Sequence, residues 1–176
     1  MLRDSFGRTF PYIRMSITDV CNFKCGYCLP NGYQVDKSDN RKFLHLDEIK
    51  RLAKCFSELG VSKIRITGGE PMLWQRETQQ LLRQPEFTDL KNLTIETNCT
   101  QPFKADFRRF LQGLVAGDYT KEPVHITWST SPKLSISGEH WAKAIKPDVA
   151  KEYFDIPNSH LYFKFVVQDE QDLEEV

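Results

Sequence analysis

The chain has 176 residues, and its 24 Lys and Arg balance 24 Asp and Glu to a formal net charge of zero. That length suits a single domain, 1–176, with a real core. The charge balance removes any broad electrostatic case for nucleic acid or a membrane surface. Apolar residues make up 40% of the chain, ordinary for a soluble globular protein. No secretory segment opens it and no run of about 18 apolar residues appears, so a cytoplasmic location is expected. Five cysteines, three of them clustered, do not read as a secreted disulfide framework.

In chain order, residues 1–10 are polar and expected to run over the surface. Tyr12 to Thr18 alternates, with Ile13, Met15 and Ile17 on one face, and predicts a strand. Arg14 lies on the other face, where it is either a solvated charge or a site residue. A loop follows from the first cysteines to about Lys42, rich in Pro, Gly, Asn, Asp and Ser. Leu46 to Leu59 predicts a helix with Leu46, Ile49, Leu52, Ala53, Phe56 and Leu59 as its apolar stripe. Cys55 falls beside that stripe and reads as structural.

Val61 to Thr67 predicts a second strand, running into Gly68-Gly69-Glu70-Pro71. A double glycine there lets a backbone approach a ligand closely. Gln75 to Arg83 predicts a weak helix. Leu93 to Asn98 predicts a third strand. Phe103 to Leu114 predicts a helix with Phe103, Phe107, Phe110, Leu111 and Leu114 inward, ended by Gly113 and Gly117. Val124 to Thr130 predicts a fourth strand, followed by Ser131-Pro132-Lys133, with His125 a packing or surface residue. Glu139 to Ile145 predicts a short helix, Leu161 to Val167 a fifth strand, and Gln168 to Val176 the start of another helix. Strands alternating with helices imply an α/β fold with a mainly parallel sheet. Ligands of such sheets bind beyond the strands' carboxyl ends, where all the polar loop motifs fall.

The most informative motif is Cys21-Asn22-Phe23-Lys24-Cys25-Gly26-Tyr27-Cys28, with three and then two residues between successive cysteines. Thiolate is a soft ligand and favours iron–sulfur clusters, zinc or Cu(I). Three readings compete: unrelated buried cysteines, structural zinc with His45 or Cys55 as fourth ligand, and an iron–sulfur cluster. A four-iron cluster normally takes four cysteines. Three leave one iron with an open position.

The triplet, with Tyr27 before its last cysteine, resembles the signature of the radical S-adenosylmethionine (SAM) enzymes. Gly68 to Pro71 matches the element of that family whose backbone binds the SAM amino group. The resemblance implies an incomplete (β/α) barrel and a [4Fe–4S] cluster on Cys21, Cys25 and Cys28. SAM would chelate the fourth iron. Electron transfer would cleave SAM to a 5′-deoxyadenosyl radical that abstracts a hydrogen atom from substrate. Gly68, Gly69, Glu70, Pro71, Tyr27, Thr97, Asn98, Ser131 and Lys133 would position SAM. An electron donor such as a flavodoxin or ferredoxin is implied.

Two narrower resemblances divide the chain. Residues 4–71 look like GTP 3′,8-cyclase of molybdenum cofactor synthesis, through Phe6-Gly7-Arg8, Tyr12 to Phe23, Tyr27 to Pro30 and Lys63 to Pro71. By that likeness Arg14 and Arg65 would contact substrate. Residues 66–176 look like 7-carboxy-7-deazaguanine synthase of the queuosine pathway, through Ile66 to Leu73, Ile95 to Thr100, Ser131 to Ser135 and Lys164 to Val167. By that likeness Thr67 would touch a pterin-like substrate. The cyclases carry a second cysteine cluster and an arginine- and glycine-rich tail that this chain lacks. The synthases carry a Thr for Mg²⁺ where Leu29 stands, and a glycine where Cys99 stands. They also continue with a further strand, so a truncated or mosaic chain is expected. A homodimer is one arrangement the synthase likeness allows. On these grounds the synthase reading ranks first and the cyclase second. A cluster- or zinc-binding protein without turnover stands third.

Overall fold

A computed structural model describes residues 3–34 and 45–176. Five strands form one sheet in the order β1-β2-β3-β4-β5: Tyr12–Ser16, Lys63–Thr67, Asn92–Thr97, His125–Thr130 and Ser159–Phe163. All four pairings are parallel. The sheet is open rather than closed into a barrel, as the incomplete-barrel expectation requires.

Strand alternation sorts the sheet into two unlike faces. Register aligns Ile13, Ile64, Leu93 and Ile126 in one row, and Met15, Ile66, Ile95, Trp128 and Leu161 in the next. These rows build the core with four helices: α1 (Leu46–Glu58), α2 (Gln75–Leu82), α3 (Ala105–Ala116) and α5 (Pro147–Phe154). Phe107, Phe110, Leu111 and Leu114 of α3 are fully buried, as their spacing predicts. Trp128 packs on Tyr153 of α5 with ring centroids 4.5 Å apart, and Phe103 stacks on Tyr153 at 4.8 Å. The opposite rows are polar: Arg14 with Arg65, Thr94 and Thr127, then Ser16 with Thr67, and Glu96 with Ser129. α4 (Trp141–Ala144) and α6 (Glu170–Glu175) are the other two α-helices among the described residues.

Several boundaries differ from expectation. Leu52 of the expected α1 stripe is 43% exposed, and Cys55 is exposed rather than packed. α3 stops at Gly117; Gly113 lies inside the helix beneath the Tyr119 ring. Phe103 packs on the core from just before α3. β5 ends at Phe163, four residues early, because β4 ends at Thr130 and only the Lys164 amide still finds a carbonyl there. α5 was not anticipated from the sequence. The part of the first loop running to Lys42 and the side chain of Leu46 lie outside the described residues. No helix among the described residues is long and apolar enough to cross a membrane.

Candidate functional site

A cleft of about 620 Å³ opens over the polar face and the carboxyl ends of the strands. Its wall includes Cys21, Cys25, Cys28 and Tyr27 from the loop after β1, Gly68 and Gly69 after β2, Thr97 and Asn98 at the end of β3, and Ser131 and Lys133 after β4. Arg14 and Thr67 line it from β1 and β2. One cavity therefore gathers motifs spread over more than 100 residues of sequence.

The cysteine loop is tightly built. Thr18 Oγ1 accepts from the Val20 amide at 3.0 Å, and the Cys28 and Leu29 amides donate to the Cys25 carbonyl at 2.9 and 2.8 Å. Phe23 and Cys25 are buried with Ala144 in a small apolar cluster against which Cys21 packs, while Cys28 is exposed. Burial pushes the Cys21 and Cys25 thiols up, with the Lys133 ammonium opposing it at both. Burial and the neighbouring thiols raise Tyr27 to about 12, so it remains a neutral phenol.

All five cysteines are free. His45 and Cys55, the expected fourth ligands of a zinc site, belong to α1 and its cap, and neither lines the cleft. Among the described residues no three or more His, Cys, Asp or Glu close around a single-ion position. A cluster presents separate irons to separate thiolates, so its ligands need not converge as the ligands of one zinc ion do. Three soft donors on one wall of a roomy cleft, without a fourth, fit a cluster with one open iron. Leu29 also lines the cleft, and its side chain offers no oxygen to a hard cation such as Mg²⁺.

The double glycine is dictated by contact with the cysteine loop. The Gly69 amide donates to Thr18 O at 2.8 Å and the Glu70 amide to Val20 O at 2.9 Å. A Cβ on Gly69 would sit 2.2 Å from Val20 O, and one on Gly68 would sit 2.1 Å from Thr18 O. Gly68 also has φ +140°, a region that side chains disfavour. Glu70 and Pro71, expected beside SAM, turn inward instead and do not line the cleft. Glu70 is fully buried and accepts from the Met72 amide, Thr97 Oγ1 and the Asn98 amide at 2.9, 2.7 and 2.6 Å. Burial raises its pKa against these three donors. Its role here is to tie the end of β2 to the end of β3.

That second end is a compact polar turn. Asn98 Oδ1 accepts from Thr100 Oγ1 at 2.7 Å, and Asn98 Nδ2 donates to Asn22 Oδ1 at 2.8 Å. Asn22 Nδ2 donates back to Thr100 Oγ1 at 3.1 Å, so the cysteine loop is stitched to this turn. Cys99 sits at φ +64°, a conformation that favours glycine, the residue the synthase likeness places there. The turn is kept with a cysteine in it. Burial, then the nearby Glu70 charge, pushes that thiol up to about 12.

Sequence reasoning did not single out Glu96 or Lys164, yet both line the cleft. Glu96 accepts from Thr67 Oγ1 at 2.8 Å and meets Arg14 at 2.6 Å, Arg65 at 3.0 Å and Lys164 at 3.6 Å. Arg65 does not line the cleft itself; it reaches Glu96 from the row beneath. Desolvation pushes the Glu96 carboxyl up, but the Thr67 hydrogen bond and the three cations outweigh it and hold the carboxyl low. Three cations meet one carboxylate, so the cluster keeps excess positive charge. The sequence signal was Glu96 alternating with Leu93 and Ile95, which places it with Thr94 on the polar face of the strand.

A family model described as the radical SAM superfamily matches residues 15–147. The chain belongs to the radical SAM superfamily. Membership implies a [4Fe–4S] cluster and SAM, and the cleft carries three cysteines on one wall. Among curated relatives, a GTP 3′,8-cyclase of Stenotrophomonas maltophilia (strain R551-3) is 48% identical over 99 residues, covering 56% of this chain and 30% of the relative. GTP 3′,8-cyclases of Pectobacterium atrosepticum and Klebsiella pneumoniae subsp. pneumoniae are 47% and 46% identical over 97 residues, each covering 55% of this chain. This radical SAM chain spans about 30% of the length of those relatives.

Proposed function

We propose that the chain forms the SAM-cleaving core of an enzyme acting on GTP or a closely related purine nucleotide. The observation that carries this reading is the sharing of one cleft by the three-cysteine loop and the cationic cluster around Glu96. Likeness to proteins named GTP 3′,8-cyclase supports it and reverses the ranking expected from the sequence. The chain spans only part of those relatives, so the absence of a second cysteine cluster carries no weight against it.

Cys21, Cys25 and Cys28 would hold the cluster and leave one iron for SAM. When bound, that pair supplies the one-electron chemistry that removes a hydrogen atom from substrate. Phe23 and Leu29 give the cysteine side of the cleft an apolar lining that limits water. The backbone at Gly69, with Thr97, Asn98, Ser131 and Lys133, orients SAM; Lys133 Nζ donates to Ser131 Oγ at 3.1 Å and is already held in place. Tyr27 stays protonated and can donate a hydrogen bond. Arg14 and Lys164, with Arg65 behind them, neutralise substrate phosphates, and Glu96 keeps the three cations together until substrate arrives. A flavodoxin or ferredoxin would supply the electron.

The test is anaerobic reconstitution with iron and sulfide, then SAM and dithionite, with GTP and 6-carboxytetrahydropterin offered separately. The expected result is 5′-deoxyadenosine that rises with GTP. A rise with the pterin alone overturns this reading in favour of the synthase. Bound iron without deoxyadenosine under either condition leaves a cluster-binding protein without turnover.

A further inference from the structure

Beyond SAM and substrate, the cysteine loop has a second neighbour that cofactor chemistry does not use. Residues 134–139, between β4 and α4, pack under it. The Lys24 amide donates to Glu139 Oε1 at 2.7 Å, and the Gly26 amide donates to the Ser137 carbonyl at 3.0 Å. The backbone amides on both sides of Cys25 are thus tied to this one segment.

The segment is itself locked. Ser137 Oγ donates to the Leu134 carbonyl at 2.7 Å and accepts from the Glu139 amide at 3.1 Å. Glu139 is only 8% exposed. Its second oxygen accepts from Lys143 Nζ at 2.6 Å, and that ammonium also lies 4.9 Å from the Phe23 ring centroid. Pairing with Lys143 occupies Oε2 and leaves Oε1 to accept from the loop.

We propose that Glu139 is a positioning residue that holds the backbone around Cys25 in its cluster-binding conformation before iron arrives. This rests on the reading of Cys25 as a cluster ligand. Loop closure then precedes metal binding, and the cluster does not have to order the loop at its own expense.

The test compares iron-free and reconstituted protein for wild type, E139A, E139Q and C25A. Amide hydrogen exchange at Lys24 is read in the iron-free state. Iron and sulfide per chain and the visible absorption of the cluster are read under limiting iron. Loss of a charge-assisted hydrogen bond should speed Lys24 exchange in E139A by about tenfold or more. Cluster yield should fall with it. E139Q keeps an acceptor oxygen and should restore most of both. Wild-type exchange and wild-type cluster yield in E139A overturn the proposal. If E139A does not fold, E139D replaces it, because it keeps the charge but withdraws the oxygen from Lys24; wild-type behaviour there is equally fatal. Wild-type iron content in C25A would instead refute the ligand assignment beneath both readings.

Discussion

Glu96 is held by partners on three other stretches of chain, Arg14 being 82 residues away. Its carboxyl is low in the folded state because Thr67 and three cations favour the ionised form. The sign of the consequence is fixed. Stability from this cluster is present above the unfolded carboxylate value of about 4.3 and is lost as pH falls through the lower folded value. Thermal melts of wild type and Glu96→Gln should therefore differ at neutral pH and converge in acid; a gap that persists in acid would count against the cluster. Cys99 gives a second residue-level prediction. A β-branched side chain at φ +64° adds strain, so Cys99→Val should cost about 2 kcal/mol in urea unfolding. Cys99→Gly relieves the strain but empties a small buried volume, and should stay within about 1 kcal/mol of wild type. The three cysteines were legible because one short loop carries all of them, so their spacing shows in the sequence. Glu96 was not, because nothing local tells a strand glutamate that three cations will meet it.

Among the elements, the junction of the cysteine loop with the end of β2 is the least tolerant. Gly69→Ala places a methyl 2.2 Å from Val20 O, and backbone cannot give way as a flexible side chain can. The variant should lose cluster binding after reconstitution, read as iron per chain, while circular dichroism reports the helices and sheet intact. α5 shows what periodicity alone cannot supply. Its buried residues are Val149 and Tyr153, one pair four apart after an N-terminal proline. Such a short stripe gives little signal, yet Tyr153 fills the space between Trp128 and Phe103 and donates to the Gln101 carbonyl at 2.6 Å. Tyr153→Phe keeps the stacking and strands that carbonyl, so urea unfolding should report a loss of about 1–2 kcal/mol. Strand existence and order were readable from alternation. Strand ends were not, because a ladder stops where its neighbour stops, as β5 does against β4.

For the molecule as a whole, the unlike faces of one sheet divide stability from function. Parallel sheets usually carry apolar cover on both sides. Here α1, α2, α3 and α5 cover one side, and the other presents Arg14, Glu96 and Ser129 to the cleft. A formal net charge of zero hides this local cationic field. If GTP is the substrate as proposed, its affinity measured by calorimetry should weaken as salt is raised, since partly exposed charges are screened, and an affinity indifferent to salt would argue against phosphate recognition by this face. The same division also sets how the gene can vary in length. Side chains along a strand alternate with a period of two, so one codon inserted early in β3 would turn Glu96 towards α3 and deliver Ile95 to the cleft. The core and the cleft would fail together. Length changes should therefore survive in the connections between the strands and helices and be purged from the five strands, however conservative the added residue.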